Sequence, residues 1–385
     1  MPNGDRVGYA RRVGRNDGRL TAAHEAATAY TTLNHDVVTT LGKGIAFVSL
    51  ASASPNRSAL ASPAVREPRE PRIVNYLHAD TSAERRALIA GLRNAPASVA
   101  PKYFYDALGA ALYSAICELP EYYLTRTERE IFTRHRSAIA AAIGSGTQFV
   151  DLGAADGAKA AEWLPFLVPS RYLAVDFAAD ILRTTLARLA GDFPDMEMLG
   201  VVTDFTEGLD LRRELAPGPV TFFYPGSSIG NFTPDQAGAF LADIRRHCVT
   251  AAGSGLLIGV DTRKDPARLE AAYDDRLGVT AAFNRNILLH VNRLLGCDFD
   301  SAAFAHVARY DADRGRIEMH LEAIREVTVH IDAVPLHFHA GERIHTENSY
   351  KYAPAQFTAM LQAEGFESVR VWQDDAGDFG VYYAV

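Results

Sequence analysis

Two segments of the chain carry residue types that could do chemistry together. Gly341 to Tyr352 reads Gly-Glu-Arg-Ile-His-Thr-Glu-Asn-Ser-Tyr-Lys-Tyr and sets a carboxylate, Glu347, two residues from a hydroxyl, Ser349. In an extended strand, side chains two apart share a face, so an acceptor and a donor stand side by side. That pair suits a small planar ring with one N–H and one bare nitrogen. The second segment is Asp151-Leu152-Gly153-Ala154-Ala155-Asp156-Gly157. Gly153 and Gly157 allow backbone to approach a ligand closely at a strand-to-helix turn. Together the segments point to a cofactor turn and an amino-acid pocket.

A glycine turn alone is weak evidence, and two acidic residues strengthen it. Asp176 lies 25 residues beyond Asp151, at the end of the next expected strand, where a carboxylate suits ribose hydroxyls. Asp204 follows the third expected strand, in the place that faces adenine in methyltransferases. A nicotinamide cofactor shares the first two features but has no need of the third, so the set favours S-adenosylmethionine. Lys159, at the start of the first helix, either positions the donor's carboxylate or is simply solvated; chemistry alone leaves both open. Tyr224 to Phe232 follows the fourth strand, beside the methyl group in this kind of fold. Gly226 and Gly230 allow tight approach there, and Asn231 either offers its amide to a substrate or caps the next helix. Tyrosines are dense around Tyr105 and Tyr122, and Tyr273 stands beside two aspartates. For any one of them, core packing with a satisfied hydroxyl is the plain alternative. His337-Phe338-His339 has no third ligand nearby, so no metal is expected.

These residues need a frame. Strand patterns at 148–151, 171–176, 199–202, 220–224 and 255–261 alternate with helical ones at 158–166, 179–190 and 234–248. That rhythm predicts an α/β fold with a Rossmann-type, doubly wound parallel sheet. Further helices are expected at 82–93, with Ser82 as N-cap, at 103–119 and at 126–142. Residues 265–350 break the rhythm with a helix at 280–295 and alternating stretches at 316–321 and 326–331. The sheet pattern resumes at 354–363, 369–372 and 379–383. The division expected is a methyltransferase domain of 131–264 plus 351–385 and a discontinuous α+β substrate-binding subdomain of 73–130 plus 265–350. Residues 1–72, rich in Arg, Gly, Ser, Ala and Pro, read as a disordered or loose tail. Its apolar stretch 44–50 is short and late for a signal peptide, so a tail or a misassigned start is the preferred reading.

At 385 residues the chain can bury one or two large cores. It is 48% apolar and 22% charged, ordinary for a globular protein. A net charge of −8 argues against nucleic acid or an anionic membrane as partner. Cys117, Cys248 and Cys297 are scattered and read as reduced cytoplasmic thiols. No apolar run reaches the ~20 residues of a membrane span. The partner expected is a small molecule, and the chain is expected to act as a monomer.

From about Asn75 to Val385 the sequence resembles the ergothioneine-pathway L-histidine Nα-methyltransferases. The blocks that carry the resemblance include Lys102 to Asp106, Leu119 to Glu128, Gly226 to Phe232, Gly259 to Asp265, Ala272 to Asp275, Ile317-Glu318-Met319 and Gly341 to Tyr352. The resemblance implies trimethylation of the α-amine of histidine to hercynine, with S-adenosylmethionine as methyl donor. It implies that Asn231 and Tyr273 hold the substrate carboxylate, and that Glu347, Ser349 and Tyr122 hold the imidazole. Tyr105 would lie near the amine and Met319 in the substrate pocket. Gly153, Lys159, Asp176, Asp204 and Phe205 would bind the donor. The glycine turn departs from relatives at Ala155-Asp156-Gly157, and the arginine-rich 1–72 has no counterpart in typical members. The rival readings are a methyltransferase of the same fold acting on another amino acid or amine, and a non-catalytic S-adenosylmethionine-binding protein.

Overall fold

The computed structural model describes residues 69–77 and 81–385. The tail expectation for 1–68 falls outside the described residues.

Along the chain, β1 (Arg72–Asn75) is followed by α1 (Thr81–Arg93), the short β2 (Ala97–Ser98) and a 3₁₀ turn at Pro101–Phe104. Next come α2 (Ala107–Cys117), α3 (Tyr123–Ile143), β3 (Gln148–Leu152), α4 (Ala158–Ala161) and α5 (Leu164–Leu167). The nucleotide-fold rhythm continues through β4 (Arg171–Asp176), α6 (Ala179–Asp192), β5 (Met198–Val202), β6 (Val220–Tyr224), α7 (Pro234–Cys248) and β7 (Gly255–Asp261). Then come α8 (Pro266–Tyr273), α9 (Val279–Leu295), β8 (Phe304–Asp311), β9 (Arg316–Ala323), β10 (Val327–Ile331), β11 (Val334–Phe338) and β12 (Arg343–Tyr350). The chain closes with α10 (Pro354–Ala363), β13 (Val369–Gln373) and β14 (Phe379–Ala384).

Eight strands form one sheet in the order β1-β5-β4-β3-β6-β7-β14-β13. The six from β1 to β7 in that order are parallel, and β14 runs antiparallel to β7. Both faces are covered. Phe149 and Tyr172 point into one buried cluster, while their neighbours Val150 and Leu173 point into another. Near-continuous apolar strands are what a doubly covered parallel sheet requires, and the fold is the Rossmann-type α/β class expected. A second sheet, β2-β12-β9-β8, joins two distant pieces of chain, since Ala97 pairs with Ile344.

Local chemistry explains where the elements depart from the sequence reading. Arg72 pairs with Leu199 and the Arg69 N–H bonds the Pro194 carbonyl, so paired backbone begins before Ile73. The edge of β5 needs hydrogen-bond partners, and β1, whose residues 73–75 were expected in the substrate-binding subdomain, supplies them as part of the large sheet instead. The cut expected at 130 falls inside α3. Ser82 is the second residue of α1, not its cap. The helix expected at 103–119 is broken because Asp106 caps α2, its Oδ1 accepting the Gly109 N–H at 2.7 Å. The helix at 158–166 is split into α4 and α5, because Pro165 has no N–H to continue the ladder from Ala161. In contrast α7 begins where its sequence says, with Thr233 and Gln236 forming a reciprocal capping box ahead of Pro234. Among the described residues, no helix is long and apolar enough to cross a membrane.

Candidate active site

Strand β12 is not a regular strand. Ile344 pairs with Leu321 and His345 with His320, but Glu347 pairs with Met319, leaving Thr346 as an extra residue. Such a bulge shifts the alternation by one. Ile344, which belongs to the core, thereby shares a face with Glu347 and Ser349. All three lie opposite the inward residues Leu321, Met319 and Ile317. The bulge is how a strand anchored by an apolar residue turns a carboxylate and a hydroxyl inward.

A cavity opens on that face. All seven residues expected for the substrate line it: Tyr105, Tyr122, Asn231, Tyr273, Met319, Glu347 and Ser349. They come from six separate parts of the chain. Tyr105 sits in the non-helical joint between the 3₁₀ turn and the Asp106 cap. Tyr122 immediately precedes α3, and Tyr273 is the last residue of α8. Asn231 ends a 3₁₀ turn, Ser228–Asn231, after β6. Because Thr233 caps α7, the capping alternative for Asn231 falls away. Gly230 brings this turn against β12; a Cβ there would lie 2.8 Å from the Tyr350 carbonyl oxygen. No larger residue fits so close to backbone.

Glu347 is buried, and its carboxylate makes no hydrogen bond among the described residues. Burial pushes its pKa up to about 7, with the Lys351 ammonium pulling the other way. An unpaired buried carboxylate costs stability unless a ligand completes it. The Tyr273 and Ser349 hydroxyl oxygens are 2.8 Å apart. Burial pushes the Tyr105 and Tyr122 hydroxyls well above the ordinary tyrosine range, so both stay protonated.

The expected donor residues lie apart from this cavity, along the carboxyl ends of β3, β4 and β5. Gly153 has φ 71° and Gly157 φ 65°, as the turn requires. A Cβ on Gly153 would meet only the Phe205 ring, at 3.9 Å, so the space above the turn is open to a ligand. Asp176 ends β4, its two oxygens accepting the Ala155 and Ala178 N–H groups at 3.0 and 2.9 Å. Burial raises its pKa against those bonds. Asp204 accepts from Lys102 at 3.0 Å and from the Thr206 N–H. Burial opposes its charge, but the Thr206 and Lys102 bonds prevail and hold its pKa below the usual range. Phe205 stands edge-on to Tyr224. Lys159 is neither free nor simply solvated: its ammonium meets the buried Glu128 at 2.6 Å. The other Glu128 oxygen accepts the Gly226 N–H at 2.7 Å. One carboxylate from α3 therefore ties the donor side to the loop that carries Asn231.

A family model described as histidine-specific methyltransferase, SAM-dependent, matches residues 84–385. The chain belongs to this family. It is 42% identical over 321 residues to the histidine N-alpha-methyltransferase of Mycolicibacterium smegmatis, covering 81% of this chain and 98% of that protein. The histidine N-alpha-methyltransferase of Mycobacterium tuberculosis is 40% identical with the same coverage. Ergothioneine biosynthesis protein 1 of Neurospora crassa is 29% identical over 291 residues, 73% of this chain and 32% of that protein.

For a methyltransferase of this family, several residues at the site escaped the sequence reading. Tyr113, Ile116, Thr280 and Phe283 also line the cavity. Tyr113 and Ile116 sit three apart on α2, a spacing that puts them on one helix face and was available as a signal. Asp261 ends a strand read at 255–261, the signal used for Asp176, whereas Glu128 and Lys351 carried none, because nothing in their local sequence says that they are buried. Lys351 Nζ donates to the Tyr273 hydroxyl at 2.9 Å, so a cation lies directly behind it. No group of three or more His, Cys, Asp or Glu residues placed to hold a metal is found among the described residues.

Proposed function

We propose that this methyltransferase transfers three methyl groups in turn to the α-amine of L-histidine, giving the trimethyl betaine hercynine. The observation that carries the reading is the convergence of Glu347, Ser349, Asn231 and Tyr273 on one cavity from distant parts of the chain. Glu347 and Ser349 offer an acceptor and a hydroxyl to the two nitrogens of a ring. Asn231 and Tyr273 stand on the side that takes the carboxylate. Tyr122 and Met319 close the ring's flanks.

The edge formed by Gly153, Asp176 and Asp204 fits S-adenosylmethionine. The turn is open, and two carboxylates end successive strands in reach of ribose and adenine donors. Phe205 supplies an aromatic edge, and Lys159 stands near the position for the donor's own carboxylate. When bound, the donor supplies an electrophilic sulfonium methyl and leaves as a neutral thioether. The protein's part is mostly orientation, because that methyl needs no activation. The attacking nitrogen must be neutral, so the amine gives its proton to water before each transfer. Tyr105, held as a neutral hydroxyl by burial, orients the amine rather than taking its proton as a phenolate. Aromatic walls at Tyr105, Tyr113 and Phe283 accommodate an amine that becomes cationic as methyls accumulate.

This reading assigns substrate binding to the β2-β12-β9-β8 sheet with its flanking helices, and donor binding to the large sheet. It keeps the enzyme cytoplasmic and monomeric, with a free amino acid as partner. Mass spectrometry of the purified protein with S-adenosylmethionine and each of the twenty amino acids tests it. Histidine alone should gain methyl groups, up to three. Comparable methylation of another amino acid would overturn the substrate assignment and leave the methyltransferase standing.

A further inference from the structure

Lys351 lies one residue beyond β12 with its side chain fully buried. Its ammonium donates to Asp261 Oδ2 at 2.8 Å, to the Tyr273 hydroxyl at 2.9 Å and to Ser349 Oγ at 2.8 Å. An ammonium has three N–H donors and no acceptor, so these partners use it completely. Asp261 anchors the charge and also takes Lys264 and the Tyr123 hydroxyl. Burial works against the charge on Lys351, but Asp261 more than offsets it and raises the pKa.

The proton count of the two hydroxyls then follows. Each has one proton and two lone pairs. At 2.8 Å apart, one must donate to the other. A phenol is the stronger acid and the better donor, so the bond runs from Tyr273 to Ser349. Ser349 Oγ thus accepts twice, from Lys351 and from Tyr273. Both its lone pairs are filled, and its only proton is left to face the cavity.

We propose that Lys351 is a positioning residue that makes Ser349 an obligate donor, and so selects a ring with a bare nitrogen on that side. The proposal rests on the histidine reading of the cavity. With Glu347 as the acceptor two residues away, the pocket takes a neutral imidazole in one tautomer, N–H toward Glu347 and bare nitrogen toward Ser349. Tyr273 keeps no proton for the substrate carboxylate, and that hydrogen bond falls to the Asn231 amide. Without Lys351 a lone pair of Ser349 is released. The hydroxyl then accepts as well as donates, and a ring without the bare nitrogen is no longer excluded.

The test compares histidine with the two pyrrolylalanine isomers, which keep one ring N–H and lack the bare nitrogen. In Lys351→Met the preference for histidine, as a ratio of kcat/KM, should fall by about tenfold or more. Affinity for S-adenosylmethionine should stay within twofold. A merely structural role for Lys351 lowers all three substrates together, and an unchanged ratio overturns the proposal. If the single variant is unstable, Lys351→Met with Asp261→Asn removes the stranded carboxylate and gives the same readout. A wild-type enzyme that shows no preference for histidine removes the histidine reading, and this proposal with it. A second measurement needs no variant: nitrogen NMR of ring-labelled histidine bound to the unmodified enzyme with S-adenosylhomocysteine. One protonated nitrogen and one hydrogen-bonded bare nitrogen, in a single tautomer, are expected. An imidazolium or a mixture of tautomers would contradict the obligate donor.

Discussion

The donor edge and the ring pocket are built in opposite ways. The donor edge takes its residues from the ends of successive strands, Gly153 after β3, Asp176 ending β4 and Asp204 after β5. Its carboxylates are already hydrogen-bonded to backbone N–H groups. The ring pocket gathers side chains from 105 to 349, and its central carboxylate, Glu347, has no hydrogen-bond partner among the described residues. The first is a pre-satisfied surface, proposed to receive S-adenosylmethionine. The second is a polar hole that only a matching ligand completes. The contrast places selectivity on the second, because unpaired buried groups penalise the wrong occupant.

The largest expected effect tests that division. Glu347→Ala should lower kcat/KM for histidine by about 10²- to 10⁴-fold, while calorimetry shows unchanged affinity for S-adenosylmethionine. Wild-type histidine kinetics would remove Glu347 from the ring site. The mirror experiment comes next. Asp176→Ala removes a charged acceptor from the donor edge and should weaken S-adenosylmethionine binding by roughly 10- to 150-fold. Unchanged donor affinity would show that Asp176 serves only to tie Ala155 and Ala178.

A third prediction concerns the stability that the empty ring pocket forgoes. The Glu347 carboxyl has its folded pKa raised from 4.5 to about 7, so between those values the folded state binds the extra proton. Stability of the substrate-free protein therefore falls as pH rises through that window. Glu347→Gln has nothing to titrate there. It should match the wild type below pH 4.5 and exceed it by roughly 1–3 kcal/mol above pH 7. Thermal melts at pH 4 and pH 8 check this, and an equal difference at both would contradict it. The smallest effect belongs to the donor edge. Ala155 sits at φ 46°, a left-handed conformation that costs a non-glycine residue about 1–2 kcal/mol. Ala155→Gly relieves it against a glycine entropy cost of about 0.5–1 kcal/mol, so a gain of up to ~1 kcal/mol is expected in chemical denaturation.

The same contrast explains what was readable in the sequence. The donor edge follows chain order, so strand periodicity and a few glycines placed it without knowledge of tertiary contacts. The helix α7 was readable at 234–248, although the cap weighed for it was Asn231 and the structure gives Thr233 with Gln236 instead. The pair Glu347 and Ser349 was visible as a same-face couple. The bulge at Thr346 that aims it inward was not, since it depends on pairing with β9. Lys351 reads in sequence as an ordinary charged residue at a strand end. Only the fold shows it buried against Asp261, 90 residues away. Glu128 escaped for the same reason: its partners, Lys159 on α4 and Gly226 in the loop after β6, are distant in sequence.

The most direct test of selectivity in the ring pocket is a competition followed by mass spectrometry. Histidine, phenylalanine and tryptophan at equal concentration would be incubated with the enzyme and excess S-adenosylmethionine. Histidine should be consumed through its mono- and dimethyl forms to the trimethyl product, with the two apolar-ring competitors left unmodified. Methylation of phenylalanine or tryptophan at a rate comparable to histidine would contradict the pocket's role.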